Sequence, residues 1–485
     1  MRNILKSSGL LLLSAVVLSS CVVKGYQSPK SDYSNQDLYQ SVELGTDSIG
    51  VEAIAWDTFF GDTILQRYIK IVLDNNHDML SAAKSIEIAY AQLRSSRASL
   101  APTVGPASLA WGGLAQENQK FSSSLDLSLS TSWEVDIWGK LSSGKRAAQA
   151  SLMASAEGVQ ALQTSLIAQM ATAYYQLIAL DMQRAVALQT IKNRQEYVDT
   201  VRLMKVAGRT NEVAVQQAVA TLSTAQGYLP QIELSIIQTE NTMVSLMGLA
   251  TTNISRAKSI DYEALGSILE VGLPTQVLSR RPDVRASEQQ YRAAFELYNV
   301  SRAAMYPSLN LSATGSVSDL LDAHTLSLSL LGGLTQPIFN GRALRTQKEV
   351  ADLEQQQALI SFQQTLLDAA IEVRNALASR EKSWELVQAQ SREFVAYRKA
   401  YEFSFDLFMS GYATYLDVLT AQTGVFDSEL DLISCYLSNI LAAIELYRAV
   451  GGGSDGIFGQ AQVIDEARLS REAYQAEQKA LRRSK

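Results

Sequence analysis

The chain has 485 residues, 47% of them apolar, and 42 Lys and Arg against 49 Asp and Glu give a net charge of −7. That balance, with no basic tract, argues against a nucleic-acid binder. The apolar residues are dispersed, so only one stretch reads as a membrane segment, and it lies at the start. Arg2 and Lys6 precede an apolar run over 10–18, followed by Ser19, Ser20 and Cys21, the pattern of a secretory signal over residues 1–20. Leu18, Ser19, Ser20 and Cys21 also match the bacterial lipoprotein box, in which the cysteine is diacylated and opens the mature chain. An ordinary signal cleaved near Cys21 is the plainer alternative. Val22 follows the cysteine, where an aspartate would favour inner-membrane retention. Several acyl chains on Cys21 would anchor durably where one would not. Residues 21–50 are polar and read as a lipid-anchored tether.

Ordered structure is expected from Trp56, with an amphipathic helix over 62–73 and a second helix over 79–100 that ends before Pro102. The period then changes. Phe121, Leu125, Leu127, Leu129, Trp133, Val135 and Ile137 share one parity with Ser and Asp between them, which predicts a strand of membrane-spanning length. Residues 104–114 are its expected partner, in a hairpin over about 103–137. A helix is predicted over 141–207, broken by Gly208, and another over 211–247 with a kink at Pro230. The run 342–409 has no Gly or Pro and is rich in good helix formers. As one helix it would extend roughly 100 Å, with a seam through Leu353, Ile360, Leu367 and Val373. Cys435, the only other cysteine, falls in an apolar helical stretch and reads as a buried free thiol.

The order of elements repeats. Asp78, Arg97 and Pro102 correspond to Asp283, Arg302 and Pro307, about 205 residues on, and Trp138 to Phe339 at about 201. Gly208 and Gly248 correspond to Gly411 and Gly451 at about 203. Two repeats follow, over 51–265 and 266–450, the second with a hairpin at about 308–337 and a helical turn at about 411. Residues 451–485 form a charged C-terminal segment that either packs at the equator or stays loose. The fold class expected is mixed α and membrane β: long antiparallel helices plus four strands per protomer. An open sheet edge cannot face lipid, so other copies must complete a barrel. Two copies would give eight strands and a filled barrel; three would give twelve and a lumen.

No residue pattern suggests catalysis, so the chain reads as no enzyme and needs no cofactor or metal. His77 and His324 are far apart, and there is no Cys pair, HExxH, phosphate loop or GxSxG. Gly451, Gly452 and Gly453 lack a following Lys and Ser/Thr and read as a helix stop. Asp126 and Asp136, on the polar parity of the first hairpin, fit lumen or loop roles.

The organisation, together with local motifs, resembles the TolC-like outer-membrane efflux proteins, specifically their NodT-type lipoprotein branch. The segment Arg280-Arg281-Pro282-Asp283-Val284-Arg285-Ala286-Ser287-Glu288 is similar to that branch's RRPDVRAAE signature. Pro282 suits a helix start and Asp283 its first turn. The segment 56–62, Asn75-Asn76-His77-Asp78, Asp136-Ile137-Trp138-Gly139-Lys140 and the stretch 411–422 support it. The resemblance implies a homotrimer in the outer membrane, with a twelve-strand β-barrel and a twelve-helix periplasmic α-barrel. Its implied partners are a periplasmic adaptor and an inner-membrane transporter of the resistance-nodulation-division type, and the duct itself carries drugs or small solutes passively. It places adaptor contact at the hairpin tips, here Gly208, Arg209, Gly411 and Tyr412. It also places an acidic periplasmic gate after the second tip: Asp417 matches the first such position, while the second is Thr420. Glu212 is a further gate candidate. Phe408 and Ala413 stand where some relatives use tyrosine and arginine, so a polar latch is not expected. A duct for an ABC transporter or protein secretion system, and a surface-anchored coiled-coil adhesion lipoprotein, are the alternative readings.

Overall fold

The computed structural model describes residues 23–29, 55–105, 107–114, 122–251, 253–257, 278, 280–318 and 325–452. The signal, Cys21, most of the expected tether, His324 and the C-terminal segment after 452 lie outside the described residues.

Asp62 opens the body because its carboxylate accepts from Ile64 N at 2.7 Å and Leu65 N at 3.4 Å, capping the amphipathic helix Thr63–Asn75 (α2). A one-turn helix, Trp56–Phe59 (α1), precedes it, and Phe59 stacks on Tyr447 with ring centroids 4.3 Å apart. Asn76 ends α2 and caps His77–Ala98 (α3) through Asp78 N and Met79 N. Three strand segments follow, Thr103–Val104 (β1), Ser108–Leu114 (β2) and Ser122–Val135 (β3). The expected single partner over 104–114 is in fact two pieces, both paired with β3. Gly105 sits at the break, its N–H donating to Ser130 O at 2.7 Å.

The long elements come next: Lys140–Val206 (α4), Glu212–Leu246 (α5), Pro282–Ala303 (α6), Ser308–Ser318 (β4), Thr325–Thr335 (β5), Ala343–Met409 (α7) and Tyr415–Ala449 (α8). Helices α4 and α7 each have 67 residues, and α5 and α8 each have 35. Their starts and ends all differ by 203 residues (140 to 343, 206 to 409, 212 to 415, 246 to 449). In that register Gly139 corresponds to Arg342 and Trp138 to Gly341, two residues beyond the Phe339 suggested by the motif spacing. Gly139 and Arg342 both precede their helix in the left-handed region, at φ 74° and 71°. The 67 residues span about 100 Å. Helix α5 runs continuously through Pro230.

Each long helix is accompanied by two shorter ones that meet end to end. Asn76 Nδ2 donates to Leu246 O at 2.9 Å, joining the C-terminus of α5 to the start of α3. Arg281 Nη1 donates to Ala449 O, joining α8 to α6 in the same way. These bonds satisfy carbonyls that a helix end leaves without a partner. A glycine closes each joint: a Cβ on Gly248 would fall 2.5 Å from Asn75 O, and one on Gly451 would lie 3.3 Å from Arg281 Cα. Both glycines have positive φ, 66° and 74°. Gly248→Ala should therefore cost about 1–2 kcal/mol from the dihedral alone, and the forced shift at Asn75 adds to it. Thermal unfolding followed by circular dichroism measures this; an unchanged midpoint would contradict the joint.

The strands form one antiparallel sheet in which β1 and β2 border β3, then β4, then β5. Apolar packing is concentrated where α1–α6 and the upper parts of α7 and α8 meet, with a second cluster near the far ends of the long helices. The two long helices differ in cover. Helix α4 buries 26 residues and α7 only seven. Of the expected seam, Val373 is buried and Leu367 packs on the core, whereas Leu353 and Ile360 are 59% and 65% exposed. That stripe has no partner within its own chain among the described residues.

Candidate functional site

Three places in the protomer carry the chemistry that the sequence singles out: the sheet, the joint around Arg281, and the two helical tips.

The register sorts the sheet into two faces. Trp133 lies opposite Leu311, Leu127 opposite Val317, Ala313 opposite Leu330, and Leu309 opposite Leu334. The alternate positions pair Ser108 with Ser128, Ser128 with Ser316, Ser316 with Ser327, and Thr314 with Ser329. Hydroxyls bond across this second face, Ser108 to Ser128 at 2.6 Å and Ser316 to Ser327 at 2.7 Å. Leu331, opposite Ser312, is an apolar exception. The apolar face is bare: Leu326, Leu328 and Leu330 are 75–82% exposed. In water such a face would be a large adhesive patch; against lipid it is the required surface. Where strands give way to helices, Trp138 Nε1 donates to Pro307 O at 2.7 Å and its ring lies 5.2 Å from that of Tyr306. With Trp133, whose Nε1 donates to Leu100 O, these amphipathic rings suit the level of lipid headgroups. Asp136, expected in a lumen or loop role, accepts from Leu141 N and Ser142 N at 2.9 and 2.8 Å and so caps α4.

The signature residues form a structural knot. Pro282 is the first residue of α6, and Arg281 just before it is buried. The Arg281 guanidinium holds Asp283 in a fork, Nε to Oδ1 at 3.0 Å and Nη2 to Oδ2 at 2.6 Å, and also meets Glu372 of α7 and Ala449 O of α8. Glu372 in turn meets Arg448, which also holds Glu445 at 2.6 Å. Burial alone would raise the Asp283 carboxyl, but the bonds and charge of Arg281 outweigh it and hold the group below the usual range. Arg285 reaches Glu157 of α4 at 2.6 Å, while Arg280 is half-buried beside the knot. Thus the motif ties α6 to α4, α7 and α8. Its partners Glu157, Glu372 and Arg448 lie 76 to 128 residues from their mates in sequence, and no local pattern marks them.

At the tips, Gly208 and Gly411 adopt φ 73° and 82°, where glycine carries no steric penalty. Arg209 and Tyr412 are exposed, Tyr412 at 84%. Glu212 pairs with Lys205 across the first turn and accepts from Gln216 Nε2 at 2.6 Å; the Lys205 bond chiefly holds its carboxyl low. Asp417 is exposed and forms a capping box: its Oδ2 accepts from Thr414 N at 2.8 Å and Thr414 Oγ1 at 2.6 Å, which lowers its pKa. Thr420 is exposed one turn later. Phe408, half-buried, packs with Tyr415 on a cluster of Tyr197, Val198, Val201 and Val418. Higher up, Arg194 donates to Thr221 O at 2.6 Å and rests 5.0 Å from the Phe426 ring centroid, an aromatic contact between the two helical hairpins.

Comparison with known proteins gives one consistent answer. A family model described as outer membrane efflux protein matches residues 68–249 and 273–452, two stretches that fall on the two structural repeats. The chain is similar to the cation efflux system protein CusC of Escherichia coli K12, 26% identical over 447 residues, covering 90% of this chain and 98% of that one. It is similar at 26% to the probable outer membrane lipoprotein SilC of Salmonella typhimurium, over 92% of this chain and 98% of its relative. Its fold is similar to the open state of the Neisseria gonorrhoeae MtrE outer membrane channel, with a TM-score of 0.80 at 26% identity, covering 89% of this chain and 98% of that one. The chain belongs to the outer membrane efflux protein family.

Proposed function

We propose that three copies of this chain close into a twelve-strand barrel in the outer membrane and a twelve-helix tunnel in the periplasm. The assembly is the passive exit duct of a tripartite pump for drugs or small solutes. The observation that carries this reading is the sheet: four strands deep, with one bare apolar face, one hydroxyl-lined face, and β1, β2 and β5 at its outer edges. Lipid tolerates no open edge, and a lumen needs more strands than two copies would supply. The exposed stripe of α7 supports the same assembly, because a neighbouring copy would cover it. A periplasmic adaptor at the tips and an inner-membrane transporter, of the resistance-nodulation-division type, complete the path and supply the energy. Purified protein should run as a heat-sensitive trimer and conduct ions in planar bilayers. A water-soluble fibre without conductance would overturn the reading.

Three copies of Asp417 would concentrate negative potential at the narrow end and favour cations there. The capping box gives this carboxylate a second job, and two substitutions separate them. Asp417→Asn keeps an acceptor for Thr414 and removes the charge, while Asp417→Ala removes both. Weaker cation preference in both variants is the expected result in planar bilayers. Unchanged selectivity in both would leave Asp417 a helix cap only.

A further inference from the structure

A cavity of about 270 Å³ lies between α4 of the first helical hairpin and α7 and α8 of the second. Val186 and Gln189 of α4 form one wall, Tyr401 of α7 another, and Gln422, Val425, Phe426 and Glu429 of α8 the third. Two contacts between α4 and α8 bracket it. On the sheet side Gln183 Nε2 donates to Ser434 Oγ at 3.1 Å; on the tip side the Arg194 guanidinium rests 5.0 Å from the Phe426 ring centroid. Tyr228 meets the same ring edge to face at 5.4 Å, so the aromatic wall is fixed from outside the cavity.

The wall supplied by α8 has an order. Val425, Phe426 and Glu429 follow Gln422 by three, four and seven residues, so all four share one helix face. From Gln422 to Glu429 that face covers about 10.5 Å and runs from amide through apolar side chains to carboxylate. Neither polar end is satisfied. Gln422 is 8% exposed, and its Oε1 accepts no hydrogen bond. Glu429 is half-buried and makes no hydrogen bond or ion pair among the described residues. Burial raises its carboxyl, opposed only by the charge of Arg398 beyond ion-pair distance. Among the described residues no lysine or arginine lines the cavity. A buried acceptor without a donor and a desolvated carboxylate without a cation each cost free energy, and a single occupant would relieve both.

We propose that this cavity binds a small arylalkyl ammonium. The cation sits on Glu429, the ring against Phe426 and Val425, and a hydrogen-bond donor at the far end reaches Gln422. The volume falls just short of the roughly 300 Å³ at which drug-sized pockets begin, so it takes one ring and a short chain. The site is complete within one protomer. It therefore goes beyond the duct reading and does not rest on it.

Three probes of nearly one shape test the site on the purified full chain by ligand-observed NMR. Tyramine has all three features, phenethylammonium lacks the hydroxyl, and tyrosol lacks the charge. Tyramine should bind roughly tenfold more tightly than tyrosol, the worth of a charge-assisted hydrogen bond partly open to water. It should bind about fivefold more tightly than phenethylammonium, the worth of a neutral hydrogen bond. Glu429→Gln should erase the first preference and keep the second, and Gln422→Leu should do the reverse. Tyrosol should bind Glu429→Gln as it binds wild type, which shows the cavity intact in that variant; if it does not, the wild-type ranking of the three probes decides alone. No binding, or equal affinity of wild type for all three probes, would overturn the proposal. So would a Glu429→Gln variant that holds tyrosol normally and still prefers tyramine tenfold.

Discussion

Arg281→Ala is expected to destabilise each protomer by about 3 kcal/mol, the low end for breaking a buried ion pair. The low end applies because the arginine side chain is only 7% exposed, whereas Asp283 and Glu372 keep 40% and 25% of their surface in water. Two carboxylates would lose their shared cation, and Ala449 O would lose its donor at the end of α8. Arg281→Lys restores the charge without the fork and should recover only part of the loss. Thermal unfolding by circular dichroism reads both; a shift within about 0.5 kcal/mol of wild type for the alanine variant would show that the knot is not holding the joint. The pH dependence has a definite sign. Because the folded carboxyl of Asp283 titrates below its unfolded value of about 3.9, its contribution is complete above that pH and is lost as pH falls through the folded value. Wild type and Asp283→Asn should therefore differ at neutral pH and converge below about pH 4.

The parts of the fold that were legible are those written in local pattern. Residues 342–409 carry no breaker, and α7 spans Ala343–Met409. The parity of Leu125, Leu127, Leu129 and Trp133 announced a two-faced strand, and the register assigns all four to one face. Gly208 and Gly411 marked turns because no other residue reaches their φ without strain. Asn76 stood in the sequence only as part of a motif; that it caps α3 and also bonds Leu246 O emerges from the fold. What stayed hidden depends on contacts between distant residues. Glu372 on α7 looks like any solvated helix carboxylate until α6 and α8 arrive around it. Leu353 and Ile360 have the spacing of a seam, and spacing cannot say whether the partner helix belongs to the same chain. The course of residues 23–29 along α6, where Lys24 N donates to Asn299 Oδ1 and Tyr26 OH and Ser28 Oγ donate to Glu288, stayed hidden for a different reason: these residues are polar and aperiodic, so their composition reads as tether.

Leu330→Arg and Ser329→Arg, one residue apart on β5, should have opposite kinds of effect. Residue 330 is the sixth of eleven in the strand, close to the middle of the apolar band, and its side chain shares a face with Ala313 and Leu311. An arginine there would face hydrocarbon at a cost of about 2–4 kcal/mol per protomer, or roughly 6–12 kcal/mol over three copies. Reversible urea unfolding from lipid vesicles measures that loss. Ser329 pairs with Thr314 on the hydroxyl-lined face, where its Oγ donates to Thr314 O at 3.4 Å, a weak bond whose loss matters little. Arginine at 329 would point into water, leave stability nearly unchanged, and place three positive charges on the lumen wall. Planar-bilayer recordings should then show a shift toward anions and a smaller conductance, because fixed charge near a pore selects its counter-ion. If Ser329→Arg destabilised the protein and Leu330→Arg altered selectivity, the two faces would be reversed and the sheet would close the other way round. If neither changed either quantity, the sheet would not line a membrane pore at all.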